Sequence, residues 1–382
     1  MPEIVSSTAA TGGQSWFKRI LLPGLGLKAF VIGGGYATGR ELAEFFLPAG
    51  PRGGLMAIGF ATLIMSLLSV VTFVMARRLQ AFDYRTFFKR LLGPGWIAFE
   101  LAYLLLVILI LAVYGAAAGA IAAAVFGAPE WAGTVALMLG IAGVVTFGNS
   151  AVERLFRDVS YLLYGVYVLF IVFALYSFGH LIGPSFSAHP ETSGWAMGGL
   201  TYASYNTVGA VIILPVLRHL VTDRDAVISG LLAGPLTMLP ALLFFIPMVA
   251  FYPAIKDAPL PSDFLLQKMG LPWFHLLFQA MIFAALLESG TSAVHAVNER
   301  IDAAWEARKG APLSHHARLA IGLTLLALCM FAAGRFGLVA LIANGYRALA
   351  YIFLGVFVLP LLTIGVWKIF RNERAGEAAL QN

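Results

Sequence analysis

Ile32-Gly33-Gly34-Gly35-Tyr36-Ala37-Thr38-Gly39-Arg40-Glu41 interrupts an apolar run that is otherwise long enough to cross a bilayer. Each glycine weakens a helix by about 1 kcal/mol relative to alanine. Four of them in the seven positions 33–39 predict that the helix breaks here. In hydrocarbon, backbone groups freed by a break survive only where they line a cavity or meet other protein. If the chain spans a membrane, this stretch therefore marks a site.

The composition meets that condition. The 382 residues are 60% hydrophobic and only 12% charged, whereas soluble domains carry about a quarter charged residues. Apolar runs of about 20 residues, enough to cross about 30 Å of hydrocarbon, recur along the chain. Hydropathy places spans at 20–47, 54–79, 94–126, 131–148, 158–182, 195–217, 227–252, 272–304, 317–334 and 338–369. The expected fold class is an all-α membrane protein of about ten helices, with connections too short to hold a soluble domain.

An even number of spans returns both termini to one side. With the N-terminus inside, eighteen Lys and Arg residues fall in inner segments and four in outer ones, a strong positive-inside asymmetry. The net charge of +6 thus reflects orientation and contact with anionic lipid rather than nucleic acid. Met1 to Gln14 lack the layout of a cleaved signal peptide. The expected location is the cytoplasmic membrane, multi-pass, with both tails cytoplasmic. Cys329 is the single cysteine and excludes an internal disulfide.

A second stretch disobeys helix continuity. Gly198-Gly199-Leu200-Thr201-Tyr202-Ala203-Ser204-Tyr205-Asn206-Thr207-Val208-Gly209 opens the sixth span as the first stretch interrupts the first. Both run from paired glycines into Tyr-Ala-Thr or Tyr-Ala-Ser. The expected organisation is a cytoplasmic tail at 1–19, a five-helix repeat at 20–182, an external loop at 183–194, a second repeat at 195–369 and a tail at 370–382. Because five is odd, the second repeat enters the membrane inverted. Broken helices at matching places in inverted halves point to a binding site at the midplane. The plainer alternative is that these glycines only let helices pack closely.

Buried ionisable groups in a membrane cost about 2.5–3.5 kcal/mol on insertion scales and need explanation. Glu288, Thr291, Ser292 and His295 share one helical face of the eighth span. A carboxylate beside two hydroxyls suits a hard cation such as sodium, and without a cation the acid becomes a proton carrier. Alternatively Glu288 is a protonated structural hydrogen-bonder, with the hydroxyls bonding their own backbone. Arg40, Glu41 and Glu44 stand outside the first break, and Arg347 lies in the outer half of the tenth span. Arg40, Glu41 and Arg347 are expected to form an outer gate, the rival reading being a local Arg40–Glu44 pair. The proline-rich loop at 253–271 is a candidate external lid. Asn206 is a candidate for the second break, and Lys28 reads as an interfacial anchor.

Other motifs carry no chemistry. The run from Gly33 to Gly39 is superficially like a phosphate-binding loop, but no strand precedes it. His315 and His316 have no further ligand at metal-binding spacing. No nucleophile is paired with a base, so no enzyme and no cofactor are expected beyond a possible coupling Na+ or H+.

The broken first span, its inverted partner and Thr291-Ser292 resemble the LeuT-type fold of the amino acid–polyamine–cation superfamily. The segment from Gly33 to Leu42, followed by Phe45-Phe46, is similar to the opening of the uncharacterised YkvI-like membrane proteins. The resemblance implies substrate held by Gly33, Gly34, Gly35, Tyr36, Ala37 and Thr38 and by Thr201, Tyr202, Ala203, Ser204, Tyr205 and Asn206. It implies sodium held by Thr291, Ser292 and a first-span carbonyl. Glu288 departs from that pattern and leaves proton coupling open. The lysine that some proton-coupled relatives carry on the fifth span is absent between 158 and 182.

The expected function is secondary active transport of a small polar solute, an amino acid before others, by alternating access. An organic amine is the alternative cargo, and a receptor that binds without translocation is the alternative class. The expected partners are the solute and the lipid bilayer; the sequence does not specify an oligomeric state.

Overall fold

The computed structural model describes residues 15–33, 36–147 and 150–371, and among these all regular structure is helical. Six stretches are long and apolar enough to cross a bilayer: Arg40–Arg78, Tyr84–Phe126, Leu163–Ala188, Asp223–Val249, Pro272–Glu306 and His316–Arg371. Glu130–Thr146 is a shorter apolar helix. Leucines and phenylalanines such as Leu63, Leu101, Phe331 and Leu359 stand exposed on these helices. The chain is a multi-pass membrane protein whose outer surface suits lipid.

The first span consists of a wide turn at Phe17–Leu21, α1 (Leu22–Val31), a non-helical gap and α2 (Arg40–Phe45). It leads into α3 (Gly50–Arg78). A short amphipathic helix, α4 (Tyr84–Leu92), begins at Asp83, whose carboxylate accepts the Thr86 amide at 2.9 Å. Then come α5 (Trp96–Phe126), α6 (Glu130–Phe147) and α7 (Ser150–Ala188). The fifth span thus runs six residues further than its apolar core, and the expected loop at 183–194 shrinks to 189–194.

The second half starts with α8 (Trp195–Asn206), a turn at Thr207 and Val208, α9 (Gly209–Ile212) and a 3-10 stretch at Leu214–His219. A Thr222–Asp225 capping box opens α10 (Asp223–Val249). Next are α11 (Pro261–Met269), α12 (Pro272–Lys309) and α13 (His315–Ala340), which kinks at Gly337. The final run holds a π turn at Leu341–Tyr346, α14 (Arg347–Phe353) and two further π turns.

The packing is reciprocal between the halves. α3 lies against α10; α3 also packs on α8, and α10 on α1. In the same way α5 meets α13 and α12 meets α6, while α14 packs on α5 and α7 on α12. Arg77 and Arg78 both reach Asp223, tying the ends of α3 and α10 together.

The sixth span differs from expectation. Gly198 and Gly199 sit inside regular α8, and the helical ladder lapses later, at Thr207 and Val208. A Cβ on Gly199 would lie 2.6 Å from the Ala57 carbonyl oxygen, and one on Gly198 would strike the Phe45 carbonyl oxygen. These two glycines serve close helix packing, as small residues do between membrane helices. Pro215, which cannot donate a backbone hydrogen bond, stands at the start of the 3-10 stretch that follows α9.

Candidate functional site

The first span is interrupted where its glycines predict. α1 stops at Val31, Tyr36–Thr38 forms a single 3-10 turn, and Gly39 adopts a left-handed φ of 76° before α2 begins. Gly34 and Gly35 lie outside the described residues. Thr38 Oγ1 accepts the Arg40 amide at 3.2 Å, taking the first free donor of α2.

A cavity of about 30 Å³ opens at this gap. A water molecule occupies about 10–15 Å³ on the same measure, so the space holds one or two waters or a group of that size. Val31, Gly33, Tyr36 and Glu41 bound it from the first span, Tyr205 and Asn206 from α8. Leu106, Ile110 and Tyr114 of α5 and Tyr346 of the last span complete the wall with Phe30. Both irregular spans therefore face one polar space. Glu41 is 6% exposed, and its Oε2 accepts the Tyr205 hydroxyl at 2.6 Å. Tyr205 stacks on Tyr346 with ring centres 4.7 Å apart.

The other residues expected to hold substrate have different surroundings. Tyr202 packs against Phe45 and Phe46. Ser204 donates to the Leu200 carbonyl at 2.6 Å, and Asn206 Nδ2 to the Tyr202 carbonyl at 3.1 Å. Thr201, Ala203 and Ala37 are buried, and none of them lines the cavity.

Two larger cavities continue from the first. One of about 280 Å³ shares Phe30, Leu106, Ile110 and Tyr114 with it and adds Glu288, Ser289 and Ser292. The next, of about 210 Å³, shares Tyr103, Ile212 and Ala296 with the second and ends at Asp83, Tyr84 and Arg300. Arg300 donates to Glu100 at 3.3 Å and lies over the rings of Tyr84 and Tyr103 at 3.9 and 3.6 Å. The three cavities form a row from the helix gaps to the arginine-rich end of the molecule.

Ion pairs gather beyond the other side of the first break. Glu44 accepts from Arg40 at 2.9 Å and from Arg347 at 3.1 Å. Arg40 also donates to the carbonyls of Lys256 and Ala258 at 2.9 and 3.0 Å, which ties α2 to the 253–271 segment. α11 in that segment is pinned by Asp263, which meets His275 and Gln267 at 2.6 Å and Gln279 at 3.0 Å. Of the residues expected at an outer gate, Arg40 makes the local i, i+4 pair with Glu44 that the rival reading expects, Arg347 joins it at the same carboxylate, and Glu41 turns inward to the cavity.

The expected ion-coupling set also divides. Glu288 and Ser292 line the middle cavity. Thr291 donates to the Leu287 carbonyl of its own helix at 2.8 Å and does not line it. Ser289 is the eighth-span hydroxyl nearest the first break, within 3.4 Å of where a Cβ on Gly33 would stand. Lys28 lies over the Tyr164 ring at 4.3 Å. Among the described residues no group of three His, Cys, Asp or Glu side chains converges as a metal site.

Tyr114, Ser289 and Tyr346 are absent from the sequence reading of the site. Ser289 is next to Glu288, one helical step off the face chosen by period. Tyr346 closes a π turn, which rotates the last span in a way no regular periodicity shows.

No family model matches the chain, and no curated protein matches it in sequence. Among solved structures, it is similar to single-residue variants of a manganese transporter from Eremococcus coleocola. Two of these align with TM-scores of 0.54 and 0.55 at 14% and 15% identity, over 95% of this chain and 81% of that one. At such identity the likeness establishes a shared all-helical membrane fold and leaves role and cargo to other observations.

Proposed function

We propose that this protein is a secondary active transporter that moves a small polar solute by alternating access. One observation carries the reading: a row of cavities starts at two interrupted helices and reaches one end of the molecule, while an ion-pair gate and a lid close the other. A pore would be open at both ends and a plain binding module would need no second gate. The basic-residue asymmetry makes the open end cytoplasmic, so the conformation is inward-facing.

The reciprocal packing of the halves supports ten spans in two inverted five-helix repeats of the LeuT type. Exchanging the first with the sixth span and the second with the seventh turns the α3–α8 contact into the α10–α1 contact. The resemblance of residues 33–46 to the YkvI-like proteins fits the same scheme. A small amine-bearing solute, an amino acid or an organic amine, is the proposed cargo, with Na+ or H+ as coupling ion. Glu288, Ser289 and Ser292 are the proposed ion groups along the release path.

The test is a thermal-shift screen of amino acids and amines, with and without sodium, followed by counterflow of the stabilising solute in proteoliposomes. The reading expects saturable exchange of that solute. Binding without exchange favours a receptor, and single-channel currents favour a pore.

A further inference from the structure

The cavity wall is one-sided in its charge. Among the described residues Glu41 is its only ionisable group other than tyrosine, and among them no Lys, Arg or His lines either this space or the larger one beneath it. Among the described residues Glu41 Oε1 and Asn206 Oδ1 have no hydrogen-bond partner, although both residues are at least 94% buried. Two unused acceptors thus face a space that lacks a matching donor beyond tyrosine hydroxyls. α1 and α8 both end here, and helix C-termini carry partial negative charge. Tyrosine faces add further attraction for a cation.

Size divides the ligand in two. The upper space of about 30 Å³ admits a group no larger than one or two waters. The space below it, about 280 Å³, is walled mainly by Phe30, Leu106, Val107, Ile110, Ala293 and Ala296. A polar head of one heavy atom with an aliphatic body fits the pair. A carboxylate-bearing solute would set its anion against Glu41 with no cation to compensate.

We infer that Glu41, Asn206 and the Tyr205–Tyr346 stack form a subsite for a primary ammonium group, and that the transported solutes are amines carrying net positive charge. The inference rests on the transporter reading for the word transported; the subsite itself stands on the cavity alone. The ammonium donates to Glu41 Oε1 and Asn206 Oδ1, and its carbon chain points down the row of cavities toward Glu288.

The test is binding, measured apart from transport. The purified full-length protein is titrated with n-butylamine, n-butyrate and butyramide, which share a chain length and differ in charge, and with alanine as a zwitterion. Thermal stability and competition are read at fixed pH. Saturable stabilisation by butylamine is expected, with none by butyrate or butyramide and a weaker effect from alanine. Glu41→Gln, which keeps the acceptor for Tyr205, is expected to weaken butylamine binding about tenfold or more, the worth of a charge-assisted bond. Equal stabilisation by butyramide or butyrate overturns the inference without needing any variant. So does a folded Glu41→Gln that binds butylamine unchanged and loses only a pH dependence of exchange, which would make Glu41 a proton site. Butylamine binding without counterflow retains the subsite and removes the transporter reading. Counterflow of a neutral or anionic solute that is indifferent to Glu41→Gln does the reverse.

Discussion

Arg40→Ala should release the lid while leaving the helical core intact. The Arg40 side chain is 6% exposed and holds two carbonyls of the lid, Lys256 at 2.9 Å and Ala258 at 3.0 Å, besides Glu44. Hydrogen bonds to a charged group contribute about 1.5–3 kcal/mol each. Two of them would give about 3–6 kcal/mol, but the lid carbonyls regain water when it lifts, so the lower end of that range applies. A loss of about 3 kcal/mol raises the open fraction of the lid by roughly two orders of magnitude. Hydrogen exchange read by peptide mass should therefore quicken across 253–271 by about that factor. Peptides from α3 and α10 should change far less. If the lid exchanges at the parental rate, or if every segment quickens alike, Arg40 is not a clamp on a lid and the reasoning fails.

Other outcomes follow from the same geometry. Gly198→Ala places a methyl against the Phe45 carbonyl and should lower stability by about 1–3 kcal/mol, read as a fall in Tm. Gly59→Ala, with nothing within 4 Å of its new methyl, should be neutral or raise stability by up to about 1 kcal/mol. Asp263→Asn weakens three contacts to His275, Gln267 and Gln279 and should make α11 an early site of limited proteolysis. If sodium is the coupling ion, Ser289→Ala or Ser292→Ala should reduce sodium-induced stabilisation. Thr291→Ala, whose hydroxyl is occupied by Leu287, should leave that stabilisation near the parental value.

The first break was legible because three adjacent glycines and a fourth at Gly39 have no use in a continuous helix. The second lapse, at Thr207 and Val208, falls inside the expected stretch 198–209 but not at its paired glycines. Gly198 and Gly199 are used for backbone approach to Phe45 and Ala57, and glycine composition alone does not separate packing from unwinding. The local pair offered as the rival to a gate was readable: Arg40 and Glu44 stand at i and i+4, and helical spacing puts them together. Glu41 lies one step around the helix and so faces elsewhere. Its contact with Tyr205, and that of Arg347 with Glu44, join residues 164 and 303 positions apart. Neither contact follows from one sequence. The π turns of the last span shift Tyr346 into the cavity by a rotation that a 3.6-residue period does not contain.

The cavity between the two interrupted helices is the centre of the account, and the decisive question is which side of the membrane reaches it. The native Cys329 is buried, so Cys329→Ala provides a background for a single reporter, Ser289→Cys, in oriented vesicles. With an impermeant thiol reagent, the account predicts reaction from the cytoplasmic face alone, and added external reactivity once Glu44→Gln loosens the gate. Reaction from both faces with the gate intact, or external reactivity that ignores Glu44→Gln, would contradict it.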